Sequence, residues 1–157
     1  MSEREILFRG KRVDNGEWID GWFLPGNERQ SLHPCIFVYL PETQSFECFD
    51  IDIDTLGEYT GLTDKNGTRL FEGDIVKITG FHTTAIAAVK YGSTKESTSW
   101  GWYFDDNDGH AYFLMSKAFC KDYNAIIIGN IYDQMLSCFP SLNPKPQFLN
   151  KKITSTS

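Results

Sequence analysis

The sequence predicts a mainly β protein with a small SH3-like barrel-type core, few short helices and one domain over about residues 1–139. Three observations predict it. Aromatic residues make up 15% of the 157 positions, with 12 Phe, 7 Tyr and 4 Trp, and aromatics favour strands while carrying large buried area. Apolar residues recur with period two in short runs, the spacing of a half-buried strand. Asn-Gly and Gly-Asp pairs punctuate those runs where tight turns need them. With 41% apolar and 23% charged residues, the composition is ordinarily globular. A chain of this length hides about 70% of its unfolded surface, enough for a core without covalent staples.

The elements follow in order. Ile6, Phe8, Trp18 and Trp22 flank Asp14-Asn15-Gly16, and Asn-Gly accepts the positive φ values of a type I′ turn. A hairpin is therefore expected from about Glu5 to Leu24, with a polar loop from Pro25 to Pro34. Cys35 to Leu40 reads as a strand stopped by Pro41. Phe46 to Ile53 reads as its partner, with Phe49, Ile51 and Ile53 on one face and Asp50, Asp52 and Asp54 on the other. A second hairpin joins Glu58–Leu62 to Thr68–Phe71 across Asp64-Lys65-Asn66-Gly67. Gly73-Asp74 then opens an aliphatic strand to Ile78, where the barrel begins, and Ala85 to Tyr91 follows.

Ser93 to Ser99 reads as a mobile polar loop. Trp100–Phe104 and His110–Leu114 pair across an acidic turn from Asp105 to Gly109. Ser116 caps a short helix to about Asp122, Ala125–Tyr132 is a buried strand, and Asp133–Phe139 is a brief helical turn. The Pro- and Ser/Thr-bearing end, 140–157, reads as a disordered tail. Two lobes, about 1–56 and 57–139, are an alternative to one barrel.

Fifteen basic residues against 21 acidic ones give a net charge of -6. Duplex binding rests on cationic groups displacing counterions from phosphates, so duplex nucleic acid is not expected as a partner. The charge is also too mild for a mimic of DNA. Cys35, Cys48, Cys120 and Cys138 are far apart with no CxxC pair, and the charged start has no apolar leader segment. The longest aliphatic run, Ile126 to Ile128, is far short of a membrane span. A cytoplasmic protein with reduced thiols and no membrane contact is the expectation.

Three segments carry a family resemblance. Glu5-Ile6-Leu7-Phe8-Arg9-Gly10 resembles an opening motif written E-I-K-F-R-A/G. The run from Glu58-Tyr59-Thr60-Gly61-Leu62 to Glu72-Gly73-Asp74-Ile75-Val76 resembles Q-Y-T-G-L-K-D-K-N-G-K-E-I-Y-E-G-D-I-V. Ile127-Ile128-Gly129-Asn130-Ile131-Tyr132-Asp133 is similar to V-I-G-N-I-Y-E. Together they resemble the YopX family of bacterial phages and prophages, with modest departures at Glu58 and Thr63. The resemblance implies a β-rich, barrel-like fold, a phage or prophage origin and assembly into a homo-oligomer, and it implies no activity. The motif residues also have a purely structural reading. Gly61, Gly67 and Gly73 suit tight turns or close backbone approach, Asp64 and Asp74 can bond nearby backbone, and Gly129 marks a bulge or a packed neighbour, with Asn130 satisfying a loop.

Chemistry-bearing groups are sparse. Asp50, Asp52 and Asp54 could gather a hard cation for phosphoryl transfer, but no base or histidine lies near them in sequence, and a solvated sheet face is the simpler reading. Calcium-loop spacing fails at Asp105–Gly109 and at Asp64–Gly67, which lack the acids at the first and twelfth positions. His33, His82 and His110 have no zinc spacing. No phosphate loop or dinucleotide fingerprint is present, so no catalytic residue, metal or cofactor is assigned. Trp100, Trp102 and Phe104 fall on one strand face. They would serve as core, as an interaction surface, or as a platform for bases of single-stranded nucleic acid, the last only with Lys77, Lys90 and Lys95 nearby. The sequence thus favours a non-enzymatic interaction module acting through self-association or contact with a host or phage protein. Single-strand binding and a metal-dependent reaction at the three aspartates are the alternatives.

Overall fold

A computed structural model describes residues 5–80, 84–94, 97–106, 111–113 and 117–133. Two antiparallel sheets of five strands each make up the fold. The first holds β1 (Phe8–Arg12), β2 (Trp18–Leu24), β3 (Cys35–Leu40), β4 (Ser45–Thr63) and β5 (Arg69–Phe71). The second runs in the order β10 (Ile126–Asn130), β6 (Asp74–Thr79), β7 (Thr84–Thr94), β8 (Ser97–Asp106), β9 (Ala111–Phe113). One short helix, α1 (Lys117–Asp122), lies between β9 and β10.

The first sheet curls until β1 pairs with both β2 and β4. Its inner face is made for curling. A side chain at Gly10 would come within 2.8 Å of Ile51, and one at Gly21 within 2.5 Å of the Phe37 carbonyl oxygen. Glycine is the residue that admits such close approach, and Ile36 and Ile51 fill the space it leaves. The second sheet stays open, with β10 and β9 as its edges. The expected barrel is therefore not closed. Nor does a lobe boundary near residue 56 match the division between sheets, which falls between Phe71 and Asp74 because β4 runs unbroken through that position.

The main core sits on one face of the second sheet, where Val76, Ile78, Ala87, Val89 and Phe104 pack with Leu70, Cys120 and Ala125. Each large apolar side chain so buried contributes roughly 1.5–3 kcal/mol. Phe119 of α1 closes the layer, its ring 5.8 Å from Phe104. Asn124 ends that helix at φ 44, with Ala125 N–H donating to the Cys120 carbonyl at 2.9 Å. A left-handed residue just past the last turn is a common helix stop.

Both Asn-Gly pairs sit in turns, with Gly16 at φ 71 and Gly67 at φ 83. The first is not the expected type I′ turn, because Asn15 is not at positive φ and residues 13–17 join β1 to β2. In the second, Asp64 Oδ1 accepts from the Asn66 and Thr68 amides at 2.8 and 2.9 Å. The expected bulge at Gly129 is present as a register shift between Ile127 and Gly129.

Four expectations need correction. Ser93–Ser99 is mostly strand, since β7 runs to Thr94 and β8 starts at Ser97. The thiols of Cys35 and Cys48 form a disulfide, Cα–Cα 6.0 Å. Antiparallel pairing of Phe37 with Cys48 and Cys35 with Asp50 brings them together, a proximity that sequence spacing does not reveal. The alternation Phe49, Ile51, Ile53 fails at Ile53, which is exposed, because β4 bulges between Asp52 and Gly57 while β1 advances only from Arg9 to Lys11. Strand β10 is edge rather than fully buried, with Ile128 exposed. Ser116, the part of the expected Asp105–Gly109 turn beyond Asp106, the expected turn at Asp133–Phe139 beyond its first residue, and residues 140–157 lie outside the described residues.

Candidate functional site

The three motif segments converge on one junction between the sheets. Arg9 of β1 forms an ion pair with Asp74 at the start of β6. Its guanidinium lies over the rings of Trp18 and Phe71, each 4.6 Å from the centroid, which is cation–π geometry. The buried Asp74 carboxylate also accepts from the Phe71 amide at 2.9 Å and from Asn130 Nδ2 at 3.2 Å. Asn130 Oδ1 accepts in turn from the Tyr132 amide at 3.0 Å. Lys11 Nζ donates to the Tyr132 carbonyl at 2.8 Å and pairs with Asp133 at 2.9 Å, while Trp18 Nε1 donates to the same Asp133 oxygen at 2.9 Å. Buried polar groups persist when each finds a partner, and here strand ends far apart in sequence supply one another's.

The junction is acidic around one phenol. Burial pushes the Tyr132 hydroxyl above its ordinary range, and Glu72, Asp54 and Asp52 press it the same way. Burial also raises the Glu72 carboxyl. These groups hold protons more firmly than usual, but no histidine or nucleophile stands among them. Cys120, the free buried thiol, is pushed up by burial and by Asp64, opposite to what a nucleophile needs.

Of the three aspartates weighed as a cation site, Asp52 serves its own strand. Asp52 Oδ1 accepts from the Asp54 amide at 3.1 Å, and Thr55 Oγ1 donates to the Asp52 carbonyl at 2.6 Å while accepting from the Lys11 amide at 2.8 Å. That bulge breaks the period-two spacing that would have put Asp50, Asp52 and Asp54 on one face. Among the described residues no three His, Cys, Asp or Glu side chains are grouped to hold a metal ion. His33 is exposed in the loop before β3, and His82 and His110 lie outside the described residues.

Trp100, Trp102 and Phe104 do share a strand face, but at three depths. Their cross-strand partners are Ser93, Tyr91 and Val89. Phe104 is fully buried in the core, Trp102 packs partly against it, and Trp100 is 72% exposed. Phe104 is thus core and no part of an exposed surface. The core face of β7–β8 runs on past Trp102 into Tyr91, which is 55% exposed and 4.9 Å from the Trp102 ring and 6.5 Å from that of Trp100. Lys90 pairs with Tyr103 and Lys77 with Ile86, which puts both lysines on the opposite face. Lys90 is bound there to Asp105, and Lys95 lies outside the described residues.

A second aromatic cluster escaped the sequence. On the outer face of β2–β3–β4, Phe46 stacks on Phe37 at 5.1 Å and meets Tyr39 at 5.1 Å and Trp22 at 6.2 Å. Trp22, Tyr39 and Phe46 are all exposed. Beside them a pocket of about 200 Å³ is lined by Glu5, Asp20, Trp22, Phe37, Tyr39 and Arg69 among others. Arg69 reaches both Glu5 oxygens at 3.1 Å and Asp20 at 3.5 Å. The sequence signal was the period-two set Asp20, Trp22 and Leu24 on one strand face, which reads alike for a core face and an open one.

An antiparallel β protein with two five-stranded sheets, tied to one another by an ion pair, is the class this geometry defines. The chain belongs to the YopX protein family, whose pattern matches residues 7–135. Among solved structures it is similar to protein EF1440 from Enterococcus faecalis, known from a crystal structure, with 20% sequence identity and a TM-score of 0.50. That alignment covers 90% of this chain and 100% of the other, and at this identity it shows the fold alone. No curated protein matches the chain. Among the described residues no helix is long and apolar enough to cross a membrane.

Proposed function

We propose that this chain is a non-enzymatic interaction module of phage or prophage origin that works in the bacterial cytoplasm. It associates with copies of itself, or with a host or phage protein, through the Tyr91 and Trp100 end of the β7–β8 hairpin. The observation that carries the reading is the core face of that hairpin continuing past Phe104 into the exposed rings of Tyr91 and Trp100. Trp and Tyr at such positions are the side chains that anchor protein interfaces. The network at Arg9 and Asp74 is accounted for by folding, because its polar groups other than Arg9 Nε serve neighbouring strands.

Single-strand binding through Trp100 and Trp102 is the second reading. It has the exposed ring it needs, but Phe104 is unavailable, and Lys77 and Lys90 face away from the rings that would need their charge beside them. A cation-dependent reaction at Asp50, Asp52 and Asp54 has less support, since Asp52 already serves the bulge.

Light scattering coupled to size-exclusion chromatography separates these, run on the protein and on Trp100→Asp, with and without a single-stranded oligonucleotide. A mass of several chains that falls to one in Trp100→Asp supports the interaction module. A single chain whose elution shifts with the oligonucleotide replaces it with the second reading.

A further inference from the structure

The first sheet has an outer face that is only half covered. Leu7, Arg9 and Lys11 of β1 project from it beside Trp18, Asp20 and Trp22 of β2, as the register pairing Lys11 with Trp18 and Arg9 with Asp20 requires. At the Trp18 end, the second sheet lies over this face through Asp74, Tyr132 and Asp133. At the Trp22 end the face is open and carries Trp22, Phe37, Tyr39 and Phe46. The described chain leaves the fold at Asp133, against Lys11 and Trp18 at the covered end.

We propose that the open half is covered by the chain's own C-terminal segment, residues 134–157. The reach is ample. Trp18 and Trp22 are four residues apart on β2, roughly 13 Å, whereas the 11 residues from 134 to Pro144 span up to about 36 Å. The chemistry matches. The segment holds Phe139, Leu142, Phe148 and Leu149 for an aromatic face, and Lys145, Lys151 and Lys152 with no Asp or Glu, while the rest of the chain holds all 21 acidic residues. At the pocket, two carboxylates, Glu5 and Asp20, share one guanidinium from Arg69, so a further cation is welcome there. Pro140, Pro144 and Pro146 favour an extended polyproline conformation, the form that aromatic grooves take up with the least ordering cost. Tethering at Asp133 raises the local concentration of the segment well above that of any free competitor.

The test is the indole N–H spectrum of the four tryptophans, with Trp22 assigned by Trp22→Phe. It compares the full chain, a chain ending at Asp133, and a full-length Lys145→Glu, Lys151→Glu, Lys152→Glu variant. The expected result is a shift of the Trp22 signal in both altered chains and none at Trp100. The charge variant decides the matter alone where the shortened chain fails to fold. A Trp22 signal that stays in place overturns the proposal. Labelled shortened chain mixed with unlabelled full chain is expected to keep its vacant Trp22 position, because each segment serves its own chain. Movement in that mixture gives the face to a second copy and overturns the intrachain assignment.

Discussion

Arg9 and Asp74, 65 positions apart, form a buried ion pair that fastens the first strand to the sixth. The pair is unequal. Asp74 has two other donors, the Phe71 amide and Asn130, whereas Arg9 Nε finds no acceptor among the described residues. Removing the carboxylate therefore strands a charge, and removing the guanidinium does not strand the carboxylate to the same degree.

Asp74→Ala is accordingly expected to lose about 3–5 kcal/mol of stability, and Arg9→Met clearly less. Urea denaturation of both variants checks the order. Equal losses would mean that the two groups depend on one another alone.

Phe104→Ala should cost about 3–5 kcal/mol, the usual cost of emptying a core aromatic site. Trp100→Ala on the same strand face should stay within about 0.5 kcal/mol. Thermal melts at a concentration low enough to dissociate any assembly make the comparison, and a large loss at Trp100 would return that ring to the core.

Two glycines make a second contrast. A side chain at Gly57 would come 2.5 Å from the Glu72 carbonyl oxygen, whereas one at Gly101 would meet nothing within 4 Å. Gly57→Ala is expected to cost about 1–3 kcal/mol through overpacking against backbone, and Gly101→Ala little. Chemical denaturation of the two variants is the check.

The disulfide between Cys35 and Cys48 spans 13 positions, and closing a loop of that size stabilises by about 3 kcal/mol in the chain-entropy account. Paired Cys35→Ser and Cys48→Ser substitutions should lower stability by that order, and a reductant should have no further effect on the double variant. Mass spectrometry of the intact and reduced protein verifies the bond itself.

Glu72 gives a pH signature. Its folded carboxyl is raised above the ordinary range by burial, which outweighs the lowering by a hydrogen bond from the Glu58 backbone. A group raised in this way favours the folded state at low pH, and that contribution is lost as pH climbs from the unfolded value through the folded one. Glu72→Gln should therefore raise the melting midpoint at neutral pH, and the gain should fade as the solution is acidified below the normal carboxylate range.

Much of the fold was legible because its cues are local. The two Asn-Gly turns, the strand from Cys35 to Leu40 and the bulge at Gly129 follow from residue type and spacing, and all are present. The family motifs were legible too, but their meaning was not. Only the folded chain brings Arg9 against Asp74, and Lys11 and Trp18 against Asp133. Cys35 and Cys48 meet through a strand register that no spacing announces. Period-two alternation assigned Trp100, Trp102 and Phe104 to one face but could not tell how deep each lies. It gave no sign that Trp22, Phe37, Tyr39 and Phe46 meet on an open face, because they come from three strands.

The partners of Lys11 and Trp18 are Tyr132 and Asp133, so the earliest strands are completed by residues made more than a hundred positions later. Such long closures are slow, since the entropy of joining the ends is lost before the contacts reward it. During synthesis the growing chain must carry Lys11 of β1 unpartnered until the residues just after β10 have emerged. The interval before that closure is when Trp18 lacks Tyr132 and Asp133 and the nascent protein is most open to misassociation.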